Sequence, residues 1–266
     1  MKRILNISLW VLSVVAVIFL LAFTNHASSG VACSKIKINI ARTITENRFL
    51  DSAVVMQEFA DKRIALQGQK LPNINLAQLE DELNNNPYVK SADVFVTLDG
   101  NLTISLTERT PIMRVIGNTG DSYYIDEDGE LMPLSDRYTA HVPVASGFIT
   151  EKYSTYYTFG VKGIEADEKL KNVLVIDDLY RMVQFIKADS LWNAQIDQLY
   201  VLPGDEIQLV PKIGDNIIAF GTAENMEEKF SKLRSFYKHA VAQGTLNAYQ
   251  TINLKYKNQV VCTKKL

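Results

Sequence analysis

The sequence is short of the residue types that usually build catalytic and metal centres. It contains two cysteines and three histidines in 266 residues. His26, His141 and His239 form neither a His-x-x-x-His pair nor a group with a cysteine, which disfavours a zinc site. The sequence also lacks a nucleophile elbow, a phosphate-binding loop and a dinucleotide fingerprint. We therefore expect no catalytic residue, no metal and no cofactor, which makes the protein non-enzymatic.

A surplus of basic residues is also missing. The chain has 28 lysines and arginines against 30 aspartates and glutamates, for a formal net charge of -2. Nucleic-acid-binding proteins normally carry a basic patch or stripe. We therefore expect no nucleic-acid partner, and nothing in the composition points to a small-molecule substrate.

The two cysteines, Cys33 and Cys262, lie near opposite ends of the chain. They can form one disulfide only if the compartment is oxidising and the two backbones approach each other. The simpler interpretation is two unrelated residues, one in a linker and one on a strand. The sequence leaves both possibilities open.

One long apolar run stands near the start of the chain. Residues 4–23 contain no charge and are interrupted only by one asparagine and two serines. About twenty helical residues span about 30 Å, the thickness of a bilayer core. Lys2 and Arg3 precede the run, which predicts a cytoplasmic N-terminus. We predict a cytoplasmic tail over 1–3, a transmembrane anchor over 4–23 and a linker over 24–34.

Two alternatives to an uncleaved anchor remain open. Ala27-Ser28-Ser29 resembles a signal-peptidase site, although the apolar run exceeds the roughly 7–15 residues typical of signal peptides. Cys33 follows Gly30-Val31-Ala32 as in a lipoprotein, but it lies far beyond the apolar run. The anchor is the favoured interpretation.

Residues 35–110 show the pattern of a small α/β domain. Alternation over 35–40 predicts a strand with isoleucines on one face. Helical periodicity follows over 50–64 and 75–86, and Asn75 is a candidate N-cap of the second helix. Alternation on both sides of Asp99-Gly100 predicts a hairpin with a two-residue turn. The order strand-helix-helix-strand-strand predicts two helices on a small mixed sheet.

Residues 111–266 contain mainly short strand patterns and two helices. Pro143 suggests that its strand lies near a sheet edge, since proline cannot donate to a ladder. We predict a curved antiparallel sheet with helices on one face, and hence an α+β fold overall. The predicted strands are 114–116, 122–125, a strand at Leu131, 142–144, 195–202, 207–210, 217–221, 248–256 and 259–263, and the predicted helices are 169–188 and 226–241.

Three groups of charged residues are candidate sites. Asp126 and Asp128 with Gly129 are typical of a hairpin turn and lack the further ligands of a calcium loop. Asp177-Asp178 is interpreted as surface charge on a helix. Glu108-Arg109 is interpreted as an ion pair at the end of a strand.

Several motifs resemble one family when they are taken in order. Residues 79–94, including Asn86-Pro87-Tyr88-Val89, resemble the second helix and following strand of a POTRA domain. Glu108-Arg109-Thr110-Pro111 is similar to a junction found in the FtsQ/DivIB cell-division proteins. Further matches to that family follow at 124–129, 142–147 and 252–256. Asn253 and Lys255 stand where the family usually has aspartate and arginine.

This resemblance implies a fold and a role. It implies a membrane anchor, a POTRA domain over 35–110 and a β-domain over 111–266. It implies a non-enzymatic scaffold of the division machinery, held in the inner membrane at the septum with its bulk outside the cytoplasm. The implied partners are division proteins of FtsB/FtsL type, bound through the C-terminal strand of the β-domain and a nearby helix.

The residues themselves support a partner site at the end of the chain. A terminal edge strand leaves backbone groups that can accept a partner strand. Tyr256 is the best candidate anchor, and Lys255 is placed to pair with a partner carboxylate. Two other functions are alternatives: another POTRA-bearing protein of transport or outer-membrane assembly, and an anchored extracytoplasmic enzyme. The predicted partner-binding residues are Ile252, Asn253, Leu254, Lys255, Tyr256, Val260, Val261 and Cys262.

Overall fold

A computed structural model describes residue 10 and residues 12–17, 32–43, 48–97, 99–158, 160–166 and 174–265. The described residues up to Glu108 belong to one compact unit, and those from Arg109 onward belong to a second. Each unit has its own cluster of buried side chains.

The predicted anchor over 4–23 falls mostly outside the described residues. Residue 10 and residues 12–17 are helical. Within the described part of the chain, no helix is both long enough and apolar enough to cross a membrane. The predicted tail over 1–3 lies wholly outside the described residues, as does most of the linker over 24–34.

The first unit has the predicted order strand-helix-helix-strand-strand. Its sheet is mixed and runs β1-β3-β2. β1 pairs with β3 in parallel, and β2 pairs with β3 antiparallel. The strands are β1 (Ile36–Ala41), β2 (Val89–Val96) and β3 (Leu102–Glu108), and the helices are α1 (Ser52–Asp61) and α2 (Leu76–Asn84).

Side-chain caps set where the two helices begin. The Asp51 carboxylate accepts a hydrogen bond from the Val54 N–H at 2.8 Å, and the Asn75 side chain accepts one from the Gln78 N–H at 3.1 Å. Each cap satisfies a backbone donor that has no partner within its helix. The cap at Asn75 confirms the prediction. The first helix is shorter than the predicted 50–64, and the chain turns away at Arg63, where φ is 58°.

The connection between β2 and β3 is longer than predicted. The last strand pair is Val96 with Leu102. Beyond it the Thr97 N–H donates to the Asn101 carbonyl at 2.9 Å, so three residues complete the loop. Gly100 supplies the left-handed backbone that this loop needs, with φ of 76°. The two-residue turn at Asp99-Gly100 was therefore wrong.

Glu108 and Arg109 do not pair with each other, so the predicted strand-end ion pair was wrong. The buried Glu108 carboxylate accepts from Arg42 Nε at 3.2 Å and from the N–H groups of Phe49 and Leu50 at 3.3 and 3.2 Å. Arg109 instead lies 2.8 Å from the buried Asp126 carboxylate. Successive residues of an extended chain point to opposite sides, which explains the divergence.

The second unit is built on a nine-stranded sheet. Its strand order is β12-β11-β10-β9-β8-β7-β4-β5-β6. The strands are β4 (Pro111–Ile116), β5 (Ser122–Asp126), β6 (Leu131–Pro133), β7 (Val144–Gly147), β8 (Ile196–Val201), β9 (Ile207–Pro211), β10 (Ile217–Gly221), β11 (Tyr249–Asn253) and β12 (Val261–Lys264). The helices are α3 (Tyr153–Tyr156), α4 (Gly160–Ala166), α5 (Val175–Ala188), α6 (Ser190–Gln195) and α7 (Met226–Ala242).

This sheet is mixed, and the prediction of an antiparallel sheet was wrong. β7 pairs in parallel with both β4 and β8, and β10 pairs in parallel with β11. Parallel neighbours need long crossover connections. The chain between β7 and β8 contains α3 to α6, and the chain between β10 and β11 contains α7.

The strand after Pro143 lies inside the sheet, contrary to the edge position predicted from the proline. β7 is flanked by β4 and β8 and begins only at Val144. The Pro143 carbonyl accepts from the Arg114 N–H at 3.0 Å. Proline lacks only a donor, and here the ladder uses its acceptor.

The acidic groups of the second unit have structural roles. Asp126 Oδ1 accepts from the N–H groups of Asp128 and Glu130 at 2.9 and 2.8 Å, and Gly129 has φ of 86°. This confirms the hairpin turn. Asp177 is buried in α5, so its interpretation as surface charge was wrong. Burial, reinforced by the neighbouring Asp177, raises the pKa of Asp178, which pairs with Arg181.

α5 begins later than predicted. Leu174 precedes the helix with an extended backbone, φ -104° and ψ 134°. Residues 169–173 of the predicted helix lie outside the described residues.

An aromatic cluster packs α7 onto the sheet. The Phe230 ring lies 5.0 Å from that of Phe220 and 5.4 Å from that of Trp192. Tyr237 meets Trp192 edge-on at 5.7 Å. Such contacts are worth about 0.5–1.5 kcal/mol each beyond burial. They fix the helix that runs beside the last two strands.

Candidate partner-binding site

β12 forms one edge of the nine-stranded sheet, where the sequence predicted the final strand. It pairs with β11 through Ile252 with Cys262 and Asn253 with Val261. No other described strand pairs with it. Val261 is 42% exposed, and Thr263 and Lys264 are exposed as well. The strand therefore exposes both backbone groups and side chains at the edge of the sheet.

β11 lies between β12 and the rest of the sheet and anchors this edge to the core. The side chains of Ile252 and Leu254 are fully buried in the core of the unit. The Leu254 N–H donates to the Ala219 carbonyl at 3.0 Å, which extends the pairing with β10. These two predicted site residues position the hairpin and present no side-chain surface.

A lysine from α7 fixes the turn after β11. Lys232 Nζ donates to the Leu254 carbonyl at 3.3 Å and to the Tyr256 carbonyl at 2.8 Å. Asn253 Oδ1 accepts from the Lys255 N–H at 3.0 Å, which is the local turn that aspartate or asparagine favours. Tyr256 stands beyond this turn with half of its surface exposed. The turn therefore holds Tyr256 in a defined place next to the edge.

Lys255, next to this turn, forms an ion pair within the chain. Its Nζ is 3.1 Å from both carboxylate oxygens of Glu206, in the turn between β8 and β9. Both side chains are about 41% exposed. Exposed pairs contribute about 0–1 kcal/mol, so the Lys255–Glu206 pair adds little to stability.

A groove of about 460 Å3 runs between α7 and the β11–β12 connection. Phe236 and Val260 give it an apolar lining, and both also pack against the core. The family resemblance implied a helix near the final strand, but none of the α7 residues that line the groove was predicted, because the sequence pattern marks only the buried stripe of that helix. The signal was a second row on α7, Phe236 and His239, spaced three residues apart. The lining residues are Ser231, Lys232, Ser235, Phe236, His239, Asn258, Gln259 and Val260.

Two titrating groups near the edge are shifted by burial. Burial lowers the pKa of Lys229 below its ordinary value, with a smaller contribution from the nearby Lys232 charge. The Lys229 ammonium donates to the Thr222 carbonyl at 2.7 Å. Burial raises the pKa of the Cys262 thiol. Both cysteines are free, and Cys262 is partly buried at this edge.

Family comparison bears on both units. A family model described as FtsQ/DivIB, C-terminal related, matches residues 110–263, which is more than half of the chain. The chain belongs to the FtsQ/DivIB C-terminal related family. A POTRA-like domain model matches residues 31–107, which covers the strands and helices of the first unit except for the last residue of β3. The predicted resemblance is confirmed.

Curated relatives carry the same family name. The chain is 27% identical over 189 residues to the cell division protein FtsQ of Salinibacter ruber, covering 68% of this chain and 66% of the relative. It is 23% identical over 209 residues to FtsQ of Geotalea daltonii, covering 78% and 70%. It is 24% identical over 199 residues to FtsQ of a Geobacter species, covering 74% and 66%. The matched stretch thus spans about two thirds of each relative.

Proposed function

We propose that this chain is a non-catalytic scaffold of the bacterial cell-division machinery. It binds division proteins of FtsB/FtsL type through β12 and the adjoining turn, and so supports septum formation. Family membership over residues 110–263 and relatives named cell division protein FtsQ support this role. In this proposal residues 35–110 form the POTRA domain and residues 111–266 form the partner-binding β-domain.

The open edge at β12 is the observation that carries the proposal. Among the described residues, no side chain accepts a hydrogen bond from a backbone N–H of β12. An exposed edge strand adds a partner strand through main-chain hydrogen bonds, and neighbouring side chains then provide specificity. Tyr256, half exposed beside this edge, suits the anchor role that tyrosine often has at interfaces.

We also propose that residues 4–23 anchor the chain in the inner membrane. The apolar run is long enough to span the bilayer, and Lys2 and Arg3 favour a cytoplasmic N-terminus. Both folded units then lie on the periplasmic side, at the division septum. Anchoring confines the open edge to the membrane surface, where a membrane-bound partner is met at high effective concentration.

A binding assay with Tyr256→Asp tests the partner site. The full chain in detergent is immobilised, and binding of a purified FtsB/FtsL-type pair is measured. We expect Tyr256→Asp to weaken binding by about tenfold or more, because it places a charge beside an edge that must be desolvated. The matched control is Tyr157→Asp, since Tyr157 is also half exposed, at 51%, and lies in the same unit.

Circular dichroism and thermal melting establish that both variants are folded. If folded wild type fails to bind the pair, the scaffold role is contradicted, and transport or outer-membrane assembly becomes the function to test. If wild type binds and both variants bind equally well, the role stands and the site at Tyr256 is wrong.

A further inference from the structure

The first unit also has edge strands, and one of them is closed by side chains. The sheet order β1-β3-β2 leaves β2 with a strand neighbour on one side only. In an antiparallel pair, every second residue turns its N–H and carbonyl away from the neighbouring strand. Such outward groups are a template for pairing with another chain.

Two successive outward N–H groups of β2 are occupied by α2. The Asn84 side-chain oxygen accepts from the Ala92 N–H at 2.9 Å. The Glu80 carboxylate accepts from the Val94 N–H at 2.8 Å. Both distances are those of good hydrogen bonds.

The spacing of these acceptors matches the spacing of the donors. Glu80 and Asn84 are four residues apart on one face of α2, which is about 6 Å along a helix axis. Ala92 and Val94 are two residues apart on β2, which is about 6.6 Å along a strand. One helix turn therefore supplies one acceptor for each outward N–H, in the way that a neighbouring strand would.

β2 also carries an exposed apolar side chain, which addition of another strand would cover. Phe95, which directly follows Val94 in β2, is 41% exposed. Exposed apolar side chains on an unprotected edge promote association between copies. The same edge of a second copy is a partner that is present wherever the chain is, and two identical edges pair with two-fold symmetry.

We propose that Glu80 and Asn84 close the β2 edge against strand addition by β2 of a second copy. The proposal concerns the first unit alone and does not depend on the function proposed for β12. In this proposal the side chains of α2 accept hydrogen bonds from two backbone N–H groups of β2, an edge strand that has no second strand neighbour. Loss of both acceptors then opens the edge.

A peptide with the sequence of Val89–Val96 is the probe for an open edge. It is added to the full chain in detergent, as wild type and as the double variant Glu80→Ala with Asn84→Ala. Alanine removes the acceptors and preserves helix propensity, so α2 keeps its conformation. We expect the double variant to bind the peptide at least about tenfold more tightly than wild type.

Two controls separate edge pairing from other binding. Asp81→Ala alters an exposed carboxylate on the same helix and should leave peptide affinity at the wild-type level. A peptide methylated at alternate backbone nitrogens cannot form the ladder and should not bind the double variant. Equal affinity of wild type and double variant for the unmodified peptide would overturn the proposal.

Hydrogen exchange gives a second, independent measurement. The amides of Ala92 and Val94 should be protected in wild type and should exchange at least about tenfold faster in the double variant. Circular dichroism shows whether that variant is folded. If the two amides exchange in folded wild type as fast as free amides, Glu80 and Asn84 do not close the edge and the proposal fails.

Discussion

Buried carboxylates in both units accept hydrogen bonds from backbone N–H groups that the helices and strands leave without partners. Glu108 serves Phe49 and Leu50, and Asp126 serves a hairpin turn. Glu151 accepts from the Val175 N–H at 2.8 Å, which is the first N–H of α5. Leu174, which precedes that helix, has no side chain that can cap it. A carboxylate distant in sequence thus provides both the acceptor and the negative charge that a helix N-terminus favours.

The stability of the second unit depends on pH through the buried Tyr237. Its ring packs in the aromatic cluster of α7, and burial raises its pKa to about 12. The ordinary value is about 10. Between about pH 10 and pH 12 the unfolded chain loses this proton while the folded chain keeps it, so stability falls as pH rises.

Tyr237→Phe should remove this part of the pH dependence. We expect the free energy of unfolding of wild type to drop by about 2–3 kcal/mol more than that of Tyr237→Phe when the pH is raised from about 9 to about 12. Urea denaturation of both proteins at matched pH measures the difference. The lysines and other tyrosines are common to both proteins, so they cancel. Parallel pH curves for the two proteins would show that Tyr237 does not titrate in this way.

At the scale of elements, local patterns predicted what local physics determines. The cap at Asn75, the alternation of β2 and β3, and the bounds of β10 and α7 were close to the structure, because each depends on neighbours in sequence. The parallel pairing of β7 with β4 and β8 was missed. Register between distant strands depends on crossover packing, and no period in the sequence records it.

The candidate site was predicted in the same partial way. The C-terminal strand and Tyr256 were identified from an edge-strand argument and a family motif. Lys232 was missed, because its partners are backbone carbonyls 22 and 24 residues away. A lysine four residues after Glu228 on a helix is ordinarily interpreted as half of a surface ion pair.

α7 should therefore control partner binding through the β11–β12 hairpin. Lys232→Met removes the two hydrogen bonds that hold the turn and keeps most of the side-chain volume. We expect affinity for an FtsB/FtsL-type pair to fall by about threefold to tenfold, with a loss of unfolding free energy of about 1 kcal/mol. The matched control is Lys238→Met, which changes an exposed lysine of the same helix. If affinity is unchanged in Lys232→Met, the turn held by Lys232 does not contribute to partner binding.

At the scale of the whole molecule, the two units treat their sheet edges differently. Side chains of α2 accept from β2 of the first unit, whereas no described side chain accepts from the N–H groups of β12 in the second. Closing an edge is a general protection against association, and leaving one open has a cost in solubility. The cost is tolerated where the edge has a partner. This contrast supports the proposed addition of a partner strand at β12 rather than at β2.

The state of the N-terminal segment decides how this open edge is presented. We expect residues 4–23 to remain attached and to hold the chain in the inner membrane, since the apolar run is too long for a typical signal peptide. Membranes of expressing cells are washed with alkaline carbonate, and the mass of the retained chain is then measured. The uncleaved chain should be retained at its full mass. A soluble product that begins near Ala27-Ser28-Ser29 would indicate cleavage, and an acylated product that begins at Cys33 would indicate a lipoprotein. If the chain were cleaved to a soluble product, β12 would no longer be confined to the membrane surface. Partner affinity would then have to come from a four-residue strand and Tyr256 alone, without the gain in effective concentration that anchoring provides.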